Sequence, residues 1–564
     1  MKVTVDELKD LLVRPGHVNE EAFKEVMTEA ELEKRSVQNL LVEKGLIQDE
    51  QLGRLIADSK GIEFVNLKTQ QVDERVLQEI PEPMARTQGV IAFAKDAQGI
   101  HVGMMNPNDL EVINMIGKHT GVKVITYLIT DQDLYNALSK YRLNLKKELD
   151  GYLERWNDQS LSRDQRNQTT VRIVDMVMKF AYRSDSSDIH VEPQAGKTLV
   201  RFRIDGVMHD MLMLQKDLAD YMLTRIKILS KMRIDEHHAA QDGKFKIAID
   251  GEPLDVRVSI VPVTKGENVV MRLLSTKTTS YTLTNLGLSD KDFVTLNRII
   301  KIPQGMVLVT GPTGSGKTTT IYAILKILNT RDVHISSIED PVEYDIKGVS
   351  QIQVNPETNL TFAEGLRAIV RQDPDIIGVG EIRDQETANI AVNSAMTGHL
   401  VLSTLHANDA ATTLLRLIDL GVKAFLVAST VNIIIAQRLV RKICTVCRMS
   451  YQLNDEEQSE LKETLQTGGA FDEKLYNELK QIRLYKGAGC DVCEHTGYKG
   501  RIGVFELLEV SDAIKDLVMK KTSADEITTA GRKGGMKTMF EDGLVKVRMG
   551  MTTLEELVRV ISQS

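Results

Sequence analysis

Apolar residues recur at helical spacing from 318 to 328, and residues 306–310, just before the intervening glycine-rich turn, are apolar and β-prone. A buried strand running through a tight turn into an amphipathic helix is the unit from which parallel sheets are built. The alternation continues, with strands read at 333–336, in the apolar centre of 373–384 and at 400–405. The C-terminal half is therefore expected to hold a mostly parallel sheet with helices on both faces. The uncharged stretch 424–437 is interrupted by Ser429, Thr430 and Asn432. It is too short to cross a bilayer and reads as a buried helix.

The N-terminal half shows other periods. The run from Leu11 to Val18 recurs from Leu40 to Ile47, with Gly16 and Gly45 in step and Glu21 and Glu50 following at equivalent places. Each copy reads as a short helix stopped by glycine, a turn and a second helix, so residues 1 to about 60 form a small helical repeat. Strands at 90–93, 100–104 and 122–129 and a helix at 109–120 then make a compact α/β unit up to about residue 145. The polar stretch 157–169 reads as a linker, followed by a domain over 170–274 with helices at 171–183 and 221–232 and alternating strands at 199–204 and 255–260. The Ser/Thr-rich run 275–284 reads as the next linker. The expected division is thus 1–150, a linker at 151–169, 170–274, a linker at 275–284, and 285–564.

Length agrees with this picture, since 564 residues exceed what one core can organise. With 42% apolar and 27% charged residues the composition is that of folded globular protein. Lys2 is followed by Asp6, Glu7 and Asp10 rather than by an apolar run, so no secretory signal is read and a cytoplasmic location is expected. A net charge of -8 gives no electrostatic footprint for nucleic acid, and no direct nucleic-acid partner is expected.

The chemistry begins in the turn. Gly311, Pro312, Thr313, Gly314, Ser315, Gly316, Lys317, Thr318 and Thr319 fit the phosphate-binding pattern Gly-x4-Gly-Lys-[Ser/Thr] between a strand and a helix. The glycines let backbone amides close on phosphate oxygens, Lys317 neutralises the β and γ phosphates of ATP, and the Thr318 hydroxyl is placed for Mg²⁺. Acidic candidates follow at strand ends: Glu339, Asp340 and Glu343 in one segment, and Glu381, where a Walker B acid belongs, in the next. His399 and His406 bracket the third strand. No Asn-Lys-x-Asp run is present to read a guanine base. The only cysteines, Cys444, Cys447, Cys490 and Cys493, form two Cys-x-x-Cys pairs. Two such knuckles complete a four-thiolate site of the structural Zn²⁺ kind, with a subdomain at about 440–505.

Taken with 188–193, Arg201 and Arg203 in 201–206, Gln241 to Gly243 and the segment ending at Arg501, these motifs resemble the GspE/PilB family of secretion ATPases from about residue 170 onward. The resemblance implies a RecA-like P-loop ATPase lobe, a PAS-like lobe before it, a four-cysteine zinc subdomain and an additional α/β N-terminal domain. It implies that Glu343 orients or deprotonates the attacking water and that Glu381 orders Mg²⁺ through its water shell. It further implies that Arg201 and Arg203 reach the nucleotide from the PAS-like lobe, and that His399 and His406 couple nucleotide state to lobe position. The implied machine is a homohexamer that hydrolyses ATP to drive type IV pilus assembly or type II secretion. It would work through an inner-membrane platform protein of the PilC/GspF kind and a cytoplasmic docking protein, peripheral to the inner face of that membrane. The long N-terminal region and the cysteine insertion favour an extension motor. The reading from a different class is a DNA translocase of competence or conjugation.

Two departures stand out. Before Gln241 the family usually has Leu-Pro, whereas this chain has His238, Ala239 and Ala240. Some relatives bind cyclic di-GMP through repeats that start Arg-Leu-Gly, but here the starts are Glu7-Leu-Lys and Ser36-Val-Gln. An acid or a neutral group stands where an anion needs a cation, so the repeat is expected to persist without that ligand.

Overall fold

The computed structural model describes residues 3–33, 36–70, 72–158, 160–275, 282–467 and 473–562. The chain divides into two units: residues 1–275 with 444–450 and 486–499, and residues 276–443 with 451–485 and 500–564.

The first unit opens with the repeat as helices Val5–Leu12, Glu20–Glu33, Val37–Glu43 and Asp49–Lys60. Gly16 and Gly45 take φ of +83° and +68° in the matching turns, a conformation that favours glycine. Glu7 closes a capping box with Thr4 and pairs with Lys60, so the first repeat start is occupied by a helix cap. A three-stranded sheet follows, Val90–Lys95, Ile100–Met104 and Val124–Leu128, the first pair antiparallel and the second parallel. The stretch read as a linker is mostly helical. Helix Asp131–Trp156 is followed after a short turn by helix Arg163–Arg183, whose capping box joins Ser162 and Gln165. Polarity there marks a solvated first turn of a helix rather than a tether, and by Thr169 and Thr170 the side chains are buried. A six-stranded antiparallel sheet completes the unit, in which Ser186–Pro193 pairs with Lys197–Ile204 and with Gly266–Ser275. The helix expected at 221–232 runs instead over Lys216–Leu229.

The second unit is built on a seven-stranded sheet in the order Val349–Gln353, Ile335–Glu339, Ile376–Val379, Leu400–Leu405, Gly305–Thr310, Val431–Ile443, Tyr498–Glu509. The pairings from the first to the sixth of these strands are parallel. Alternate residues of the central strand serve two cores. Val307 and Val309 pack with Ile321, Ile324 and Leu325 of helix Lys317–Leu328, while Met306 and Leu308 pack with Leu366, Ala388 and Val392 of helices Phe362–Val370 and Gln385–Met396. Helices therefore cover both faces, as a parallel sheet requires. The uncharged stretch is corrected: 424–430 is a short helix, and Val431 begins a thirteen-residue strand. The β-branched Val431, Ile433, Ile434 and Ile435 suit that strand, buried on both sides. Of the linker expected at 275–284, residues 276–281 lie outside the described residues. No helix among the described residues is long and apolar enough to cross a membrane.

Candidate functional site

The central strand Gly305–Thr310 delivers the chain into the phosphate loop, and helix Lys317–Leu328 starts where the loop ends. Gly311, Gly314 and Gly316 hold φ of +145°, +79° and +88°. A Cβ on Gly311 would lie 2.4 Å from the Gln437 carbonyl oxygen, so that position has no room for a side chain. The first N–H groups of the helix have no intrahelical acceptor and carry the positive end of its dipole. Lys317 Nζ folds back to donate to the carbonyls of Gly311 at 2.8 Å and Pro312 at 3.1 Å. Burial pulls the Lys317 pKa below its ordinary value, while the charge of Glu381 acts in the opposite sense. Pro312, Thr313, Gly314 and Thr318 are exposed at the mouth, Ser315 is buried, and Gly316 and Thr319 are half-buried.

The acids and one histidine arrive at the same sheet edge. In the parallel register Thr310 pairs with Leu405 and Val379 with Ser403, so Gly311, Glu381 and His406 leave neighbouring strands at their C-terminal ends. The Glu381 side chain is 14% exposed, paired through one oxygen with Arg383 and through the other with His406 Nε2 at 3.2 Å. On the next strand outward Glu339 is buried, accepting from the Ser337 hydroxyl at 2.6 Å, from Gln351 Nε2 at 3.1 Å and from the Tyr322 hydroxyl. Its carboxylate, one of the acidic candidates, is hydrogen-bonded to internal donors. Asp340 is exposed, and Glu343 is half-buried on the loop that follows.

His399 lies apart from this group. It sits at the opposite end of its strand, where its carbonyl accepts from Gly305 N at 3.1 Å and its Nδ1 meets the Ser394 carbonyl at 2.9 Å. Residues that bracket a six-residue strand lie about 23 Å apart, at roughly 3.3 Å per residue. The structure brings His406 to the phosphate loop but not His399.

Gln437 belongs to no motif, yet it braces the loop. From strand Val431–Ile443 its Nε2 donates to the Ser315 carbonyl at 2.6 Å and its Oε1 accepts from the Thr320 hydroxyl at 2.7 Å. The available signal was an amide at the end of an apolar run, a group that must find partners once buried.

In the first unit Arg201 and Arg203 flank the fully buried Phe202, so both face away from the core. Arg201 stands opposite His190 and bonds Asp210 at 2.9 Å; Arg203 stands opposite Asp188 and donates to the Gly206 carbonyl at 3.1 Å. Burial first, then the charge of Arg203, depresses the His190 pKa.

The four cysteine ligand atoms lie within 4.8 Å of one another. No disulfide joins them, and three of the sulfur pairs are 3.7, 3.8 and 3.9 Å apart. A tetrahedral zinc with bonds of about 2.3 Å sets its sulfurs about 3.8 Å apart, so the cluster fits that ion. The N–H groups of Cys490 and Gly497 donate to Cys493 Sγ at 3.2 and 3.3 Å, as suits a thiolate. The cysteine segments group with the first unit rather than with the C-terminal lobe, and 451–485 groups with the second. Arg448 pairs with Glu43, both nearly buried, and Arg142 of helix Asp131–Trp156 pairs with Glu494 at 3.0 Å.

Over residues 163–559 the chain matches the family described as type II/IV secretion system protein, and over residues 61–147 it matches the MshEN domain. It is 34% identical to the type IV pilus assembly ATPase PilB of Myxococcus xanthus, with 98% of each chain covered. It is 43% identical to the type II secretion system ATPase E of Vibrio cholerae over 70% of this chain and 76% of that one. The solved structure of the Legionella pneumophila ATPase DotB shares the fold, with a TM-score of 0.50 at 20% identity over 70% of this chain and 96% of that one. With a phosphate loop, an acid and a histidine on one edge of a RecA-like sheet, the chain belongs to the type II/IV secretion system protein family.

Proposed function

We propose that the protein is an ATP-hydrolysing motor for type IV pilus assembly or type II secretion. The observation that carries this reading is the meeting of the phosphate loop, Glu381 and His406 at one sheet edge, in a chain that matches a pilus assembly ATPase over 98% of its length and a type II secretion ATPase over 70%. In the working site Lys317 leaves the loop carbonyls for the β and γ phosphates, which are stronger acceptors. Thr318, and Glu381 through ordered water, would hold Mg²⁺, which would supply charge neutralisation on the phosphate oxygens. Glu343 takes the proton of the water that attacks the γ phosphorus as the bond to the β-phosphate oxygen breaks and ADP leaves. Arg201 and Arg203 supply cations from the PAS-like lobe, and His406 reads the state of Glu381. The working assembly is a homohexamer held at the inner face of the membrane through a platform protein and a docking protein, and the long N-terminal region marks an extension motor. Purified protein is expected to release phosphate from ATP only with Mg²⁺ and at a rate DNA does not change. Stimulation by DNA would instead support a nucleic-acid translocase, and loss of neither pili nor secretion on gene disruption would overturn the motor assignment.

The cysteine cluster holds Zn²⁺ as a structural ion. Cys490→Ser is expected to lower bound zinc from about one ion per chain to a small fraction of that, because three thiolates leave the tetrahedron open. Hydrogen exchange should then rise in helices Val37–Glu43 and Asp131–Trp156, which the cysteine segments contact through Glu43 and Arg142. Unchanged zinc content by metal analysis would refute the site.

A further inference from the structure

We propose that Tyr322 is a positioning residue for hydrolysis, tying the helix of the phosphate loop to the acidic loop that carries Glu343. The inference rests on the reading of Glu343 given above.

Tyr322 lies five residues beyond Lys317 on helix Lys317–Leu328 and is 4% exposed. A phenol has one proton to give and two lone pairs to offer, and here all three are used. The hydroxyl donates to Glu339, and it accepts from the backbone N–H of Glu343 and from Gln351 Nε2, each at 3.4 Å. The ring of Tyr344 packs edge-on against it, with centroids 4.5 Å apart and planes at 86°. Residues on either side of one peptide bond are thereby registered against a single side chain of the phosphate-loop helix.

Gln351 completes the mount from the neighbouring strand. Its Nε2, whose two protons are shared among three acceptors, also faces the Tyr344 carbonyl at 3.3 Å and Glu339 at 3.1 Å, and its Oε1 accepts from Ile346 N at 2.7 Å. The loop is stapled at 343, 344 and 346, and among these staples Tyr322 is the one that reaches back to the phosphate loop. Burial, reinforced by the charge of Glu339, pushes the Tyr322 pKa far above its ordinary value. The hydroxyl thus keeps its proton and remains a donor wherever the motor works. A shift of the helix on nucleotide binding is passed to the Glu343 backbone through this hydroxyl. Hydrolysis depends on placing the water and its base to within a fraction of an ångström, where a misplacement of 1 Å costs about 10²-fold.

Tyr322→Phe keeps the ring against Tyr344 and removes only the hydroxyl. In the full-length chain we expect kcat to fall between about 10- and 100-fold while ATP affinity stays within about twofold. A structural defect would move Tm and affinity together with kcat. The decisive readout is a double-mutant cycle in single-turnover hydrolysis. If Tyr322 acts through Glu343, the loss caused by Tyr322→Phe disappears in the Glu343→Gln background. Gln351→Ala, which removes the staple from the other side, should give the same split and carries the test should Tyr322→Phe fail to fold. Normal kcat in Tyr322→Phe, or a loss of equal size in both backgrounds, overturns the inference and leaves the assignment of Glu343 standing. Normal turnover in Glu343→Gln alone would remove the premise, and the inference with it.

Discussion

Glu343→Gln is expected to leave ATP bound and to lower turnover by about 10²- to 10⁴-fold, the usual contribution of a positioned general base. The substitution keeps the size of the side chain but removes its capacity to take a proton. The loop should hold its place, because the bonds made by the Glu343 backbone N–H, the Tyr344 carbonyl and the Ile346 N–H are untouched by the substitution. Binding should survive for a related reason, since the phosphate loop and Lys317 lie on other elements. Phosphate release and equilibrium nucleotide binding, measured on the same preparation, separate the two effects. Turnover within about twofold of the unsubstituted chain would sink the assignment.

Lys317→Ala is expected to reach binding as well, weakening it about 10- to 100-fold through loss of charge-assisted hydrogen bonds of about 1.5–3 kcal/mol each. Turnover should fall with it, since the same ammonium meets charge that grows on the γ phosphate. The nucleotide-free protein, by contrast, should lose no stability. Burial disfavours the Lys317 charge in that state, as its lowered pKa records, and its bonds there are only to Gly311 and Pro312 carbonyls. Thermal unfolding without and with MgATP checks both halves: an unchanged or higher Tm in the first case, a much smaller ligand-induced rise in the second. An equal rise in Lys317→Ala and the unsubstituted chain would contradict the role.

The parts of this site that could be read in the chain were those whose chemistry is local. A phosphate loop needs glycines, a lysine and a hydroxyl within nine consecutive residues, and Gly311 to Thr319 supply them. Glu381 was legible because the short apolar strand before it fixes which end it occupies. His399 was not, since histidines bracket both ends of 400–405 and periodicity does not say which end is joined to the site; the parallel register with Gly305–Thr310 decides it. Gln437 escaped notice because its partners Ser315 and Thr320 lie far away along the chain. The run around it was mistaken for helix because a buried strand and a buried helix share the same unbroken apolar character. Glu339 was legible as an acid at a strand end, but its satisfaction by Tyr322, Ser337 and Gln351 depends on three separate elements. The cysteine pairs announced a metal site by spacing, yet their segments group with the first unit, where they make ion pairs such as Arg448–Glu43 and Arg142–Glu494 between residues far apart in the sequence.

The most direct measurement is the structure of the full-length chain with Mg²⁺ and a slowly hydrolysed ATP analogue. The account predicts Lys317 Nζ moved from the Gly311 and Pro312 carbonyls to the β and γ phosphates, Mg²⁺ on the Thr318 hydroxyl, and one water between Glu343 and the γ phosphorus. A nucleotide seated away from the phosphate loop, or a Glu343 carboxylate turned from the γ phosphate with another acid in its place, would contradict it.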